Sequence, residues 1–158
     1  MNTSHVVGFT GTRKGMTDRQ VSEITKLVKG MPEETVWVHG GCDGADDDFH
    51  GIVETRPGFI CVLPGDRSQH RKYKNKTFGG ELDAVPDFSV KPNPYIYRNH
   101  LIVALCRFGV LIACPGKMEP ELRSGIWATI RHAKERHVKS IRIVWPDGSI
   151  GGYDKVPA

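Results

Sequence analysis

The sequence predicts an α/β fold: one domain with a parallel five-stranded sheet and helices on both faces. Three observations predict it. Short apolar runs alternate with segments of helical periodicity. The runs are nearly continuous in apolar residues, as strands buried on both faces are. Strand–helix–strand alternation implies right-handed crossovers between parallel neighbours.

The elements follow in order. His5 to Phe9 is β-rich and runs into Thr10-Gly11-Thr12-Arg13. A helix comes next: Thr17 and Gln20 have capping-box spacing, and Val21, Ile24 and Val28 share a face. Gly30 and Pro32 stop it. Thr35 to His39 is the second strand, followed by Gly40-Gly41-Cys42-Asp43-Gly44 and a helix from about Ala45 to Glu54. Phe59 to Leu63 is the third strand. Tyr95 to Cys106 reads as a helix and Phe108 to Cys114 as the fourth strand. Pro120 suits the first turn of a helix running to about Arg136. Ser140 to Trp145 is the fifth strand, ended by Pro146-Asp147-Gly148. Residues 64–94 break the rhythm as a basic loop insertion, with Arg67, His70, Arg71, Lys72, Lys74 and Lys76 beside Asp66. It reads as a solvated loop or as a lid over a phosphorylated ligand.

Composition narrows the function classes. At 158 residues the chain is one domain, 1–158. With 39% apolar and 25% charged residues it is not a disordered chain. No apolar run approaches the ~18 residues of a membrane span. The start, Met-Asn-Thr-Ser-His, lacks the pattern of a signal peptide, so a cytoplasmic location is expected. The formal charge of +4 suits a ligand with a few phosphates and does not by itself argue for DNA. Cys42, Cys61, Cys106 and Cys114 form no Cys-x-x-Cys pair, and reduced thiols are expected. Neither a metal nor a cofactor is expected.

In an open parallel sheet, ligands bind outside the carboxyl ends of the strands. Three glycine-bearing turns fall there: Gly8 to Arg13, Gly40 to Asp46, and Pro115 to Gly125. Each precedes a helix, whose free amides and positive dipole end favour phosphate. Asp46, Asp47 and Asp48 read as complementing a helix dipole; the alternative, functional reading is that Asp46 holds a ribose hydroxyl or a neighbouring turn. His39 ends the second strand and is the better titratable candidate, while His50 reads as a structural or surface histidine. Tyr73, Tyr95 and Tyr97 are candidates for stacking on a base. Trp127 and Ile130 read as core, with a subunit interface as the second reading and a homo-oligomer expected.

The strings Gly8-Phe9-Thr10-Gly11-Thr12-Arg13, His39-Gly40-Gly41-Cys42-Asp43-Gly44-Ala45-Asp46, Arg98-Asn99, Pro115-Gly116 and Ser124-Gly125 resemble the SLOG superfamily. That group holds the DprA-like and LOG-like Rossmannoid proteins and small YspA-related members. The resemblance covers nearly the whole chain apart from the insertion. It implies a Rossmann-like sheet of order 3-2-1-4-5 and a nucleotide or nucleotide-derived ligand. The implied binding residues are Gly11, Thr12, Arg13, Gly40, Gly41, Asp43, Gly44, Asp46, Arg98, Asn99, Pro115, Gly116, Ser124 and Gly125.

LOG-like members are phosphoribohydrolases with the signature Pro-Gly-Gly-x-Gly-Thr-x-x-Glu. This chain keeps Pro115-Gly116 and, after an insertion, Ser124-Gly125, but has Ile126 in place of the Thr and Thr129 in place of the Glu. Glycosidic cleavage uses a carboxylate, which Thr129 lacks. Arg98, Glu119 and Glu121 are the candidate catalytic residues. The missing Glu favours a non-catalytic protein that senses or sequesters a nucleotide. The alternative is a phosphoribohydrolase-like enzyme, and the third reading is DprA-like DNA binding.

Overall fold

The computed structural model describes residues 5–63 and 95–152, with the side chains of 95–97 excluded. The insertion at 64–94 and Tyr73 lie outside the described residues.

Six strands and four helices make up the described residues. They are β1 (Val6–Gly11), α1 (Asp18–Lys29), β2 (Val36–His39), α2 (Ala45–Val53), β3 (Phe59–Val62), α3 (Tyr95–Leu105), β4 (Val110–Cys114), α4 (Gly125–Glu135), β5 (Ser140–Val144) and β6 (Ile150–Gly152). The sheet order is β3-β2-β1-β4-β5-β6. The first five strands are parallel, in the expected order.

The sixth strand corrects the expectation of an all-parallel, five-stranded sheet: β6 runs antiparallel to β5. Pro146-Asp147-Gly148 does end β5, but as a hairpin turn. Trp145 N–H donates to Ser149 O (2.8 Å), Gly148 takes φ +87°, and Asp147 Oδ1 accepts from the Ser149 amide at 2.9 Å. Ile150-Gly151-Gly152 offers one apolar side chain in three residues, so no hydrophobic period marks it.

Alternation along the strands divides the interior in two. Val6, Leu111, Ala113, Ile141 and Ile143 pack on the α3–α4 face with Ile102, Trp127 and Ile130. Val7, Phe9, Trp37 and Ile112 pack on the α1–α2 face with Ile24, Val28 and Phe49. Such a parallel sheet is covered on both sides, which explains its unbroken apolar runs. Trp127 is 1% exposed and tilts against Trp145 with centroids 5.6 Å apart, so it is core and offers no surface to a second copy. All four cysteines are free and buried, Cys42 included, although its Gly-rich turn suggests exposure.

The capping box at α1 is present: Thr17 Oγ1 accepts from Gln20 N (3.1 Å) and Gln20 Oε1 accepts from Thr17 N (3.0 Å). The start of α4 is a correction. Pro120 lies outside the helix, which begins at Gly125 after Ser124, the N-cap residue. Carbonyls in the preceding loop bond to a side chain instead of helix amides: Arg131 donates to Glu121 O (3.4 Å) and Leu122 O (3.2 Å).

Among the described residues, no helix is long and apolar enough to cross a membrane.

Candidate functional site

The register sets the site. Gly11 stands opposite Cys114, so the carboxyl ends of β1 and β4 are level, and Thr12 N–H continues the ladder to Cys114 O (3.1 Å). The chain leaves β1 toward β2 on one side and returns at β4 on the other. This is the switch point at which open α/β sheets open a crevice. A cavity of about 370 Å³ lies there.

Its lining includes Gly11, Thr12, Arg13, Arg98, Asn99, Glu121, Gly116, Ser124 and Gly125 from the expected set. Gly40, Gly41, Asp43, Gly44, Asp46, Pro115 and Glu119 are not among its lining residues. The first and third turns therefore face the cleft, while the second mainly backs it and contributes Cys42.

The backing turn is closely built. A side chain at Gly40 would have its Cβ 2.8 Å from Arg98 Cζ, so glycine lets the guanidinium lie against the backbone. Arg98, 6% exposed on α3, donates from Nη1 to Cys42 Sγ (2.9 Å) and Gly40 O (3.3 Å). Its Nε and Nη2 both reach Asn99 Oδ1 at 3.3 Å. Arg98 thus welds α3 to the second turn and presents its charge at the cleft floor.

Asp46 sits beneath the same turn and accepts from Cys42 N–H (3.1 Å). Of the two roles expected of Asp46, this one holds a neighbouring turn. Burial pushes its carboxyl up to about 6, against the pull of the Cys42 amide, the Arg98 guanidinium and the Gly40 amide. Burial also raises the Cys42 thiol, so Cys42 is not an activated nucleophile.

With its carboxyl raised above the unfolded value, Asp46 makes stability depend on pH. The folded state holds the proton more tightly than the unfolded chain between pH ~4 and ~6, so this contribution to stability is present in acid and lost as pH rises through about 6. The loss amounts to about 3 kcal/mol. Wild type should therefore lose stability relative to Asp46→Asn between pH 5 and pH 7. Urea midpoints of the two proteins at both pH values check this, and a constant difference would refute it.

His39 and His50 are both buried and bonded to one another, Nε2 to Nδ1 at 2.8 Å. His39 Nδ1 accepts from Gly41 N–H (3.0 Å), so its role is to hold the second turn. Glu54 Oε2 lies 3.7 Å from His50 Nε2. Glu121 pairs with Lys117 at 3.2 Å beside the cleft. Thr129, at the position of the LOG-like Glu, is buried and bonds back to Gly125 O (2.7 Å).

Lys14, Cys42, Lys117, Arg123 and Ile126 line the cleft without having been singled out for it. Lys14 follows Arg13 directly, and Lys117 and Arg123 lie inside the loop joining Gly116 to Ser124. Gln20 is a second omission. It is fully buried and donates to Pro115 O and Val144 O, both at 2.9 Å, which turns Pro115 toward α1. Its capping-box position marks it in the sequence, but not this second bond.

Among the described residues, no group of three or more His, Cys, Asp or Glu is placed to hold a metal ion.

No protein-family model matches the chain, and no curated protein matches it. A solved structure does: DNA processing protein A (DprA) from Streptococcus pneumoniae, with TM-score 0.58 and 21% identity over 89% of this chain. This chain has a DprA-like, Rossmann-like fold. It spans about half, 49%, of that DprA chain. At this identity the likeness is one of fold, and the cleft described above rests on the residues of this chain alone.

Proposed function

We propose that the chain binds a nucleotide or nucleotide-derived small molecule in the cleft between the first and third turns, as a sensor or sequestering protein. Membership of the SLOG superfamily, among its small YspA-related members, belongs to the same proposal. The observation that carries it is the convergence of Thr12-Arg13, the buried Arg98 and the start of α4 on one cavity. Ser124 caps that helix only loosely, with Oγ 3.5 Å from Trp127 N, and a Cβ on Gly125 would meet nothing within 4 Å. Backbone at the helix start is therefore open to an approaching phosphate, which the dipole favours.

A second reading has its own observation. Glu121 lines the cleft and Glu119 does not, so a phosphoribohydrolase-like reaction would use Glu121 as its carboxylate. DNA binding is a third reading, carried by the fold shared with DprA.

One experiment separates them. Thermal-shift screening against nucleotides, ADP-ribose derivatives and an oligonucleotide should find a small ligand worth about 2.7 kcal/mol at 100 times its dissociation constant. Chromatography of the incubated ligand should show no released base. Base release that vanishes in Glu121→Gln, by the ~10²–10⁴ of a lost acid–base group, would install the hydrolase reading. Stabilisation by the oligonucleotide alone would install the third.

A further inference from the structure

Two helices share the cleft. Arg98 and Asn99 of α3 line it, and so do Ser124, Gly125 and Ile126 at the start of α4. How α3 sits against α4 therefore sets its width. The next residue of α3, His100, meets α4 directly. Its ring lies face to face on that of His132, with centroids 3.8 Å apart and planes 14° from parallel. Residues two apart on a helix leave its axis about 200° apart. Arg98 accordingly reaches Gly40 O and Cys42 Sγ on one side, and His100 reaches α4 on the other. This end of α3 is gripped from both sides.

A proton can loosen the second grip. The core between these helices is apolar, with Ile102, Trp127 and Ile130 in it. Imidazole, in contrast, changes charge between pH 5 and 8. A stack with at most one charged ring is favourable. Two imidazolium rings in the same place bring like charges to ~4 Å and repel. Among the described residues, neither ring has a hydrogen bond or ion pair that would hold it once the stack parts. The charges around His132 come from both helices. Partial burial, His100 of α3 and Arg136 of α4 hold it below the ordinary histidine value of 6.5, and Glu135 of α4 opposes them.

Resting on the nucleotide reading above, we infer that the His100–His132 stack is a proton-controlled clasp on the cleft. With at most one ring charged, it holds α3 against α4 and the cleft keeps its binding width. With both charged it parts, Arg98 moves away from the start of α4, and the ligand is released in acid. The folded state resists the proton on His132, so this contribution to stability is present above about pH 6.5 and lost as pH falls. The sign is opposite to that of Asp46, which keeps the two effects apart.

The whole chain, His132→Phe and His100→Phe test this. Each phenylalanine keeps a ring in the stack and removes one of its two charges. AMP and ADP are the probes, titrated calorimetrically at pH 7.5 and pH 5.0 and one ionic strength. All three proteins should bind alike at pH 7.5. On going to pH 5.0 the wild type should lose at least about fivefold more affinity than either variant, the size of one contact between like charges in water. Titration of the phosphate and of Asp46 is common to all three and cancels. Histidine ring NMR reads the pair without a ligand: the His132 midpoint should rise in His100→Phe. Equal losses of affinity in the three proteins would overturn the control of the cleft, and an unmoved His132 midpoint would overturn the clasp itself. Binding of neither probe at pH 7.5 would overturn the nucleotide reading and the ligand control with it. The clasp would then stand or fall on the NMR midpoint and on whether acid lowers the wild-type urea midpoint more than those of the variants.

Discussion

Gly44→Ala should cost about 3–5 kcal/mol of stability and lower Tm by 10 °C or more. Gly44 is the N-cap residue of α2, at φ +88° and ψ −122°, a backbone conformation that residues with a side chain rarely enter. A Cβ there would also stand 2.2 Å from Arg13 O and 2.7 Å from Thr12 O. Both atoms are backbone, so no rotamer change relieves the clash. One of them is already in use: Ala45 N–H donates to Thr12 O at 2.9 Å, tying the start of α2 to the first turn. The alanine variant must move either the helix or the turn that lines the cleft. Gly125→Ala is the matched control, because a Cβ at that position meets nothing within 4 Å. It should melt within a few degrees of wild type, or slightly above it as a helical Gly→Ala change allows. Thermal unfolding of the three proteins decides the matter, and a Gly44→Ala melt close to wild type would refute the packing argument.

The same residues show what was legible in the sequence. Strand order and helix positions follow from apolar periodicity and from caps such as Thr17, because burial on two faces imposes those patterns. The three glycine turns were visible too, but their roles were not. Gly11, Gly40 and Gly44 look alike in sequence. In the structure a Cβ on Gly11 would stand 2.4 Å from Ala45 Cβ, so that glycine serves strand–helix packing as well as the cleft. Gly40 is required by the guanidinium lying on it. Which turn faces a ligand depends on where α3 places Arg98, and no local pattern encodes that. Lys14 and Arg123 were missed for a related reason: an exposed basic residue in a loop is ordinary until a register places two loops side by side. The hairpin to β6 escaped because its pairing is backbone and its strand carries two glycines.

Arg98→Met should weaken nucleotide binding by about tenfold to a hundredfold while the chain stays folded. Methionine keeps much of the apolar stem but removes the charge at the cleft floor. It also leaves Gly40 O and Cys42 Sγ without their shared donor, which should cost roughly 1–3 kcal/mol of stability. Arg98→Lys separates charge from shape. It restores the cation as a point charge but not the planar fork that spans Gly40 O, Cys42 Sγ and Asn99 Oδ1. Affinity should recover in part, and stability little. A second readout needs no ligand at all. The Arg98 guanidinium holds the Asp46 carboxyl down against its burial, so its loss should move the Asp46 titration above about 6. The pH-dependent loss of stability assigned to Asp46 should then shift to higher pH in Arg98→Met and stay near its wild-type position in Arg98→Lys. Calorimetric affinity and urea midpoints across pH 5–8 measure the two effects separately. If affinity falls with no shift in the Asp46 titration, Arg98 serves the ligand and not the turn; if the titration shifts with affinity unchanged, it braces the turn, and the ligand is held by Arg13 and the start of α4 instead.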